Sequence, residues 1–201
     1  HADGPLDATI ERAGAMPLPP YIRTAVGDPE RYQTVYSRVV GSAAAPTAGL
    51  HFTPELLARV RATCGVAEVD LQVGLDTFRP VAADDLDAHV MHSEAYAVDP
   101  AERARIAAAA RVVAIGTTTT RVLETIADPA APDAGRTALL IQPGYAFRSV
   151  GMLVTNFHLP RSTLLALVMA FGGESLIRDA YARAVARGYR FYSFGDAMAI
   201  L

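Results

Sequence analysis

A short apolar run at residues 111–115, which ends at Gly116 and four consecutive threonines, constrains the fold more than any other segment. An unbroken apolar run of this length is typical of a parallel strand that is buried on both faces. Glycine and hydroxyl residues directly after such a strand predict a turn into a helix, here from about Arg121. The segment therefore favours a sheet with helices packed against it.

Further strands and helices alternate along the rest of the chain. Thr53-Pro54 and Asp99-Pro100 each predict the start of a helix, because a capping residue followed by proline is favoured there. Strands separated by helices imply an α/β fold, with a mostly parallel sheet and helices on both of its faces. The other predicted strands are residues 69–73, 138–141, 150–155 and 189–194, and the later helices are residues 164–171 and 174–187.

The composition excludes several kinds of protein and of chemistry. All 18 basic residues are arginines, so the chain offers no Schiff-base lysine, no lysine base and no Walker-type phosphate lysine. The net charge of −3 argues against a broad electrostatic grip on nucleic acid. Cys64 is the only cysteine, and no apolar run is long enough to cross a membrane. We therefore expect a protein of a reducing compartment, located in the cytoplasm.

The first 48 residues or so are predicted to be irregular, because prolines interrupt them repeatedly. An irregular opening segment of this length is uncommon, so it is either functional or has lost the partner against which it packs. Tyr21, Gln33 and Tyr36 supply aromatic and amide groups that can contact a nucleobase, and they are candidate substrate-binding residues. The alternative is that they only pack the irregular chain.

The stretch at residues 154–163 is the strongest candidate for an active site. It places the amide of Asn156, the imidazole of His158 and the hydroxyls of Ser162 and Thr163 between an apolar strand and an apolar helix. Segments that only pack rarely hold so many hydrogen-bonding groups, because a buried polar group without a partner destabilises the fold. Ligands of open α/β sheets bind at such strand-to-helix junctions.

The threonine loop, residues 117–120, is a second candidate ligand site. Backbone N–H groups at a helix start bind anions, and the hydroxyls of Thr117, Thr118 and Thr119 add further donors. Arg121 follows directly and is a candidate to meet a carboxylate of the substrate. Alternatively, one threonine caps the helix and the others face solvent.

Four further residues are candidate acid, base or orienting groups. His92 and Glu94 favour general acid/base or orienting roles over metal binding, because no second cluster has zinc-like spacing. His51 precedes a predicted helix, and a helix N-terminus keeps an imidazole neutral, as suits a base or a neutral donor. The alternative for His51 is a plain hydrogen bond that closes the turn. Asp196 follows the last predicted strand, where it either faces a ligand or caps a short turn.

Six stretches of the chain form one ordered set of motifs: residues 16–22 (MPLPPYI), 31–36 (RYQTVY), 45–53 (APTAGLHFT), 91–94 (MHSE), 155–160 (TNFHLP) with 162–164 (STL), and 189–198 (YRFYSFGDAM). In this set the chain resembles the S-adenosylmethionine:tRNA ribosyltransferase-isomerases of queuosine biosynthesis, from about Asp3 to its end. The resemblance implies that residues 16–201 form an α/β catalytic domain. It also implies that residues 1–15 are a remnant of an inserted β-barrel domain, which is otherwise largely missing from this chain.

The resemblance implies an unusual reaction. The ribosyl group of S-adenosylmethionine is transferred and isomerised onto the aminomethyl group of 7-aminomethyl-7-deazaguanine in the anticodon loop of tRNA. The products are epoxyqueuosine, adenine and methionine. S-adenosylmethionine is then a substrate and tRNA a partner, and the resemblance implies a monomer without a prosthetic group, a metal or a membrane partner.

This reaction sets the roles that we expect for the candidate residues. The site must remove a proton near the sulfonium, protonate the departing adenine and hold the charged end of the methionine. We expect His158 or His51 to shuttle protons, with His92 also catalytic. The threonine loop with Arg121 would clamp the substrate, while Glu94 and Asp196 would orient groups or offset positive charge.

The chain departs from the family pattern at positions that bear on the acceptor. The family's HVGAGTF is QVGLDTF at residues 72–78, so Gln72 replaces an imidazole, and Leu75 and Asp76 replace a flexible turn. Asp76 is therefore a candidate substrate-binding residue. Gly151 stands where the family has an aspartate. Two alternatives stay open: a relative that uses the same donor on another acceptor, such as a free deazapurine, and a non-catalytic nucleotide- or RNA-binding protein.

Overall fold

The computed structural model describes residues 9, 14, 17–23, 27–39, 41–74 and 86–201. Within these ranges the chain forms five α-helices and two three-stranded sheets, which confirms the prediction of an α/β fold. No helix in these ranges is long and apolar enough to cross a membrane. The helices are α1 (Pro54–Thr63), α2 (Pro100–Ala108), α3 (Thr117–Ile126), α4 (Thr163–Gly172) and α5 (Glu174–Ala186), and the strands are β1 (Asp70–Gln72), β2 (Glu94–Ala97), β3 (Val112–Ile115), β4 (Ala134–Thr137), β5 (Val150–Asn156) and β6 (Ala197–Ile200).

One sheet is antiparallel throughout and the other is mixed. The antiparallel sheet has the order β1-β2-β4, and the mixed sheet has the order β3-β5-β6. The prediction of a mostly parallel sheet must be corrected, because among the described strands only β3 and β5 pair in parallel, while β6 is antiparallel to β5. The physical reason is that two helices, α4 and α5, follow β5 in succession. The second helix brings the chain back to the carboxyl end of β5, where β6 begins.

Local sequence sets where the helices begin. The side chains of Thr53, Asp99 and Ser162 each accept a hydrogen bond from a backbone N–H in the first turn of α1, α2 and α4. Helix α3 begins at Thr117 rather than at about Arg121, because Gly116 takes the N-cap position with φ of 95°. Glycine adopts this left-handed backbone conformation without a steric penalty, and no side chain caps the helix.

Two of the predicted strands are wrong. Residues 138–141 are irregular, and the strand next to them is β4. Residues 189–194 form a turn in which Tyr192 has φ of 70°, and the last strand is β6. The aromatic rings of this stretch pack around Phe157, with the Phe191 ring centroid 4.9 Å away, instead of alternating across a sheet. Tertiary packing therefore overrides a local pattern of period two.

The main hydrophobic core contains side chains from the mixed sheet and from helices α3 and α4. Ala114 and Leu153 contribute from β3 and β5, and Val122 and Val168 contribute from the helices, with all four fully buried. Burial of one large aliphatic side chain stabilises the fold by about 1.5–3 kcal/mol. This packing fixes the carboxyl ends of β3 and β5, which carry the candidate site.

A buried carboxylate organises the loop that leads into β5. Glu124 lies in α3 and is 0% exposed. Its Oε1 accepts hydrogen bonds from the backbone N–H groups of Ser149 (3.0 Å) and Val150 (2.9 Å). Its Oε2 accepts from the backbone N–H of Arg148 (2.9 Å) and from the hydroxyl of Tyr145 (3.2 Å). One side chain thus satisfies three backbone donors where the chain enters the central strand of the mixed sheet.

Candidate functional site

The candidate site lies where β3 and β5 end and β6 begins. The 3₁₀ helix Thr47–His51 packs on this edge: a Cβ atom added to Gly116 would lie 3.5 Å from the Cβ of Ala48. Asn156, the last residue of β5, pairs with Ala197 at the start of β6. Three parts of the chain that are distant in sequence therefore meet at one edge of the sheet.

A cavity of about 390 Å³ opens at this edge. It brings together two of the candidate residues, the exposed His51 and the half-buried Asp196. Exposed aromatic rings, Tyr189 and Phe194, form part of its wall. The full lining is Leu50, His51, Tyr189, Arg190, Ser193, Phe194, Gly195, Asp196 and Ala197.

A tight turn holds the carboxylate of Asp196. Its Oδ2 accepts a hydrogen bond from the backbone N–H of Arg190 (2.8 Å), and its own backbone N–H donates to the Arg190 carbonyl (2.7 Å). The hydrogen bond from the Arg190 backbone N–H is the main cause that lowers the pKa of Asp196, and the Arg190 guanidinium acts in the same direction. Gly195 is required here, because a Cβ atom would lie 2.3 Å from the Arg190 carbonyl oxygen. The carboxylate is therefore ionised at neutral pH.

Asn156 makes its contacts inside the protein. It is 2% exposed, and its Nδ2 lies 3.0 Å from the carbonyl oxygen of Tyr192 and 3.2 Å from Nε2 of His51. Its Oδ1 is buried and has no hydrogen-bond partner among the described residues. The amide that the sequence assigns to substrate binding thus contacts the imidazole that lines the cavity.

His158 lies away from this cavity. Its Nε2 is 2.9 Å from the hydroxyl of Thr155, and its backbone N–H donates to the hydroxyl of Tyr181 (2.9 Å). Thr155 and Asn156 are neighbours on β5, so their side chains point to opposite faces of the sheet. Burial lowers the pKa of His158 to about 4, which keeps its ring neutral. The two histidines predicted as alternative proton shuttles therefore lie in different environments.

His92, Glu94 and Arg121 form a second, buried cluster. Glu94 is 2% exposed, and its Oε1 lies 3.0 Å from Nε2 of His92 and accepts from the backbone N–H of Gly74 (3.2 Å). Its Oε2 pairs with Nη1 of Arg121, which is 6% exposed and donates through Nε to the Leu139 carbonyl. The carboxylate that Arg121 meets thus belongs to the protein. Nη2 of Arg121 is buried and has no partner among the described residues.

The threonine loop keeps some of its donors free. Thr119 and Thr120 donate their hydroxyls to the carbonyls of Ile115 (2.8 Å) and Gly116 (3.0 Å). The hydroxyls of Thr117, which is buried, and Thr118, which is half-buried, make no hydrogen bond to the described residues. The first backbone N–H groups of α3 have no intrahelical acceptor, as in every α-helix, and no side chain caps them.

The described part of the N-terminal segment packs against the turn that borders the cavity. The hydroxyl of Tyr21 lies 2.8 Å from Oγ of Ser193, and its ring lies 4.8 Å from that of Tyr192. The hydroxyl of Tyr36 lies against Gly49, where an added Cβ atom would be 1.9 Å from it, and burial raises the pKa of Tyr36. Both tyrosines thus make the packing contacts that the alternative expects, and their role in substrate binding stays a prediction.

The remaining candidates have simpler surroundings. Gln33 is exposed and ends the 3₁₀ helix Pro29–Tyr32. Ser162 caps α4, whose first residue is the half-buried Thr163. Asp76 and most of residues 1–15 lie outside the described residues. In the ranges that the structure does describe, no group of three His, Cys, Asp or Glu side chains is placed to hold a metal ion.

Sequence reasoning missed three residues around Asp196 and Asn156. Arg190 holds the carboxylate of Asp196, Ser193 joins the N-terminal tyrosines to the cavity wall, and the carbonyl of Tyr192 accepts from Asn156. All three fall within the motif at residues 189–198, so the motif marked the region. Two of these contacts use backbone groups, which no residue type reveals.

Comparison with known proteins finds a matching family model and curated relatives that share one name. A family model described as "Queuosine biosynthesis protein" matches residues 2–200. The S-adenosylmethionine:tRNA ribosyltransferase-isomerase of Moorella thermoacetica is 56% identical over 209 aligned residues, covering 100% of this chain and 61% of that protein. The protein of the same name from Anaeromyxobacter dehalogenans (strain 2CP-C) is 57% identical over 206 residues, covering 98% of this chain and 59% of that protein.

A solved structure is also similar. The crystal structure of S-adenosylmethionine tRNA ribosyltransferase from Thermotoga maritima is 45% identical with a TM-score of 0.61, and the match covers 77% of this chain and 51% of that one. The chain therefore spans about three fifths of the length of the two curated relatives, which it covers to 61% and 59%.

Proposed function

This chain belongs to the queuosine biosynthesis protein family, and from that premise we propose that it acts in the ribosyl transfer from S-adenosylmethionine to tRNA. In this proposal the ribosyl group is transferred and isomerised onto the aminomethyl group of 7-aminomethyl-7-deazaguanine in the anticodon loop. Epoxyqueuosine forms, and adenine and methionine leave. S-adenosylmethionine is a substrate, and the protein works in the cytoplasm as a monomer without a prosthetic group.

One observation carries the proposal: His51 and Asp196 line the same cavity at the carboxyl edge of the parallel strands. The ionised carboxylate of Asp196 in this cavity attracts the positive charge of a sulfonium. An imidazole beside it either shuttles a proton or donates a hydrogen bond to the purine that departs. The cavity therefore offers a negative charge to the sulfonium of S-adenosylmethionine and an imidazole to its adenine.

The threonine loop is the place that we assign to the charged end of the methionine. Free backbone N–H groups at the start of α3 and the hydroxyls of Thr117 and Thr118 are suitable donors for a carboxylate. The ion pair between Arg121 on α3 and Glu94 on β2 connects this helix to the antiparallel sheet, and His92 contacts the same carboxylate. We therefore assign these three residues to orientation of the loop. Asn156 then acts through its contact with His51 at the edge of the cavity, whereas His158 contacts Thr155 on the other face of β5 and lies outside the cavity.

The departure at Gly151 does not favour a different acceptor. Gly151 lies near the start of β5, and Asn156 lies at its other end, about 16 Å away at roughly 3.3 Å per residue. A Cβ atom at Gly151 would lie 3.3 Å from the side chain of Arg111, which fills the space. The alternative of another acceptor thus rests on residues 72–78, of which residues 75–78 lie outside the described part of the chain.

Release of adenine is the direct test. The chain is mixed with S-adenosylmethionine and tRNA that carries 7-aminomethyl-7-deazaguanine, and adenine is quantified by liquid chromatography. Asp196→Asn removes the charge in the cavity and is expected to lower kcat by about 10²-fold. Asp179→Asn, which changes an exposed carboxylate on α5, is the matched control and is expected to keep the parent rate.

Other outcomes separate the competing functions. Adenine release with a free deazapurine, but not with tRNA, points to a relative with another acceptor. Binding of S-adenosylmethionine or RNA without adenine release points to a non-catalytic binding protein. An Asp196→Asn variant with turnover within a few-fold of the parent removes Asp196 from the site.

A further inference from the structure

We infer that Asn156 is a positioning residue that fixes His51 as the neutral tautomer with its proton on Nδ1, so that His51 acts on the cavity as a hydrogen-bond donor. The inference deepens the proposed function, on which its catalytic part rests. It is carried by two contacts of the Asn156 amide, which link the backbone carbonyl of Tyr192 to the ring of His51.

The first step is the orientation of the Asn156 amide. One atom of this amide lies within 3.0 Å of the Tyr192 carbonyl oxygen and within 3.2 Å of Nε2 of His51. A carbonyl oxygen only accepts hydrogen bonds, so the amide atom facing it must be the NH₂ group. The opposite orientation would place two carbonyl oxygens against each other in a buried site. Tyr192 therefore decides which way the amide points.

The second step concerns the Tyr192 carbonyl itself. Tyr192 has φ of 70°, a left-handed conformation that costs a non-glycine residue on the order of 1–3 kcal/mol. Its carbonyl oxygen also accepts from the backbone N–H of Gly195 (3.0 Å), and its own N–H donates to Phe157 (3.0 Å). The turn thus holds this carbonyl in place from both sides. Strain of this kind persists only where surrounding contacts enforce it.

The third step is the proton on His51. Since the second N–H of the amide points at Nε2, that nitrogen must carry a lone pair, and the proton of the neutral ring is on Nδ1. Nδ1 has no hydrogen-bond partner among the described residues, and His51 lines the cavity. The ring therefore offers an N–H to a ligand. A base acting through Nε2 would have to displace the Asn156 contact, so the donor role replaces the proton-shuttle role for His51.

Nuclear magnetic resonance tests the tautomer independently of any activity. Long-range ¹H–¹⁵N correlation spectra of the full chain, labelled with ¹⁵N-histidine, distinguish a bare from a protonated ring nitrogen, and His51→Gln assigns the His51 signals. At a pH of about 8, where a free imidazole is neutral, His51 is expected to show a proton on Nδ1 and a bare Nε2. A protonated Nε2 in the parent protein overturns the inference outright, without any variant.

Variants then test the role of Asn156. Asn156→Asp keeps the shape but presents only acceptors, so Nε2 of His51 is expected to become protonated. Thr155→Val is the matched control on the other face of β5: it removes the contact to His158 and is expected to leave the His51 signals unchanged. If Asn156→Asp does not fold by circular dichroism, Asn156→Ala is used, and the Nδ1 tautomer is expected to lose its dominance. A His51 that keeps a bare Nε2 in the folded variant overturns the role of Asn156.

Kinetics connects the tautomer to the proposed reaction. The folded Asn156→Asp variant is expected to release adenine with kcat lowered by about 10²-fold and KM within a few-fold of the parent, as when one preorganised donor is lost. An unchanged kcat together with a switched tautomer overturns the donor role. If the parent itself releases no adenine, the proposed function fails while the spectra still decide the assignment of the tautomer.

Discussion

Replacement of Glu124 by glutamine tests whether one buried carboxylate holds the entry to β5. Glu124 is 0% exposed and accepts four hydrogen bonds, two at each oxygen. In Glu124→Gln an NH₂ group replaces one oxygen, so two buried donors face another donor instead of an acceptor. Each lost hydrogen bond to a charged group contributes about 1.5–3 kcal/mol. We therefore expect the free energy of unfolding to fall by about 3–5 kcal/mol.

Urea unfolding measures this loss. The chain contains no tryptophan, so far-ultraviolet circular dichroism is the suitable signal. The midpoint is expected to fall without a change in slope, because the variant exposes the same surface on unfolding. Glu174→Gln is the matched control: Glu174 pairs with Arg178 on the surface of α5, and its loss is expected to cost about 0.5 kcal/mol or less. A loss below about 1 kcal/mol for Glu124→Gln would refute the reasoning, since it would mean that the loop does not depend on this acceptor.

Two further predictions concern buried ionisable side chains. Glu94→Leu leaves the 6% exposed Arg121 without its counter-charge and is expected to lower the free energy of unfolding by about 3–5 kcal/mol in urea. The double variant Glu94→Leu with Arg121→Met is expected to recover most of this loss. A loss in the double variant that equals the sum of the losses of Glu94→Leu and Arg121→Met would contradict the coupling. The pKa of His158 is about 4 in the folded state and about 6.5 in the unfolded state. Between these pH values the unfolded state binds more protons than the folded state. The free energy of unfolding therefore falls as the pH drops through this window. The expected fall in the free energy of unfolding is at most about 3 kcal/mol. Urea unfolding of the parent and of His158→Asn at several pH values measures this fall, which is expected to be absent in the variant. Equal pH dependence in the two proteins would show that His158 does not cause it.

Local signals in the sequence predicted much of the fold. The helix starts predicted at Thr53 and Asp99 depend on a few neighbouring residues, and the structure confirms both caps and the helices that follow them. The apolar run before Gly116 forms a strand that pairs in parallel with β5, as predicted. The prediction that this strand is buried on both faces is wrong, because Val113 is 44% exposed. The family resemblance, which rests on ordered motifs along the chain, is confirmed by the comparisons.

Other local signals misled, for a physical reason that is the same in each case. The aromatic alternation at residues 189–194 predicted a strand, but the turn is held by a left-handed Tyr192 and by rings that pack around Phe157. The direction of β6 depends on the two consecutive helices before it, not on its own residues. Side-chain periodicity describes which face a segment buries and carries no information about the partner that covers it.

By itself, the sequence determined which segments are helices and where most of them begin, because these follow from residues close together in the chain. It also determined the family, through motifs whose order can be read along the whole chain. Only the tertiary structure decided that the imidazole of His51 meets the amide of Asn156, 105 residues away, and that Arg121 meets Glu94. It also placed His158 on the other face of β5, away from the cavity that His51 and Asp196 share. Such pairings depend on how the whole chain packs, since contacts across long loops have no local pattern and form only when the intervening core is in place.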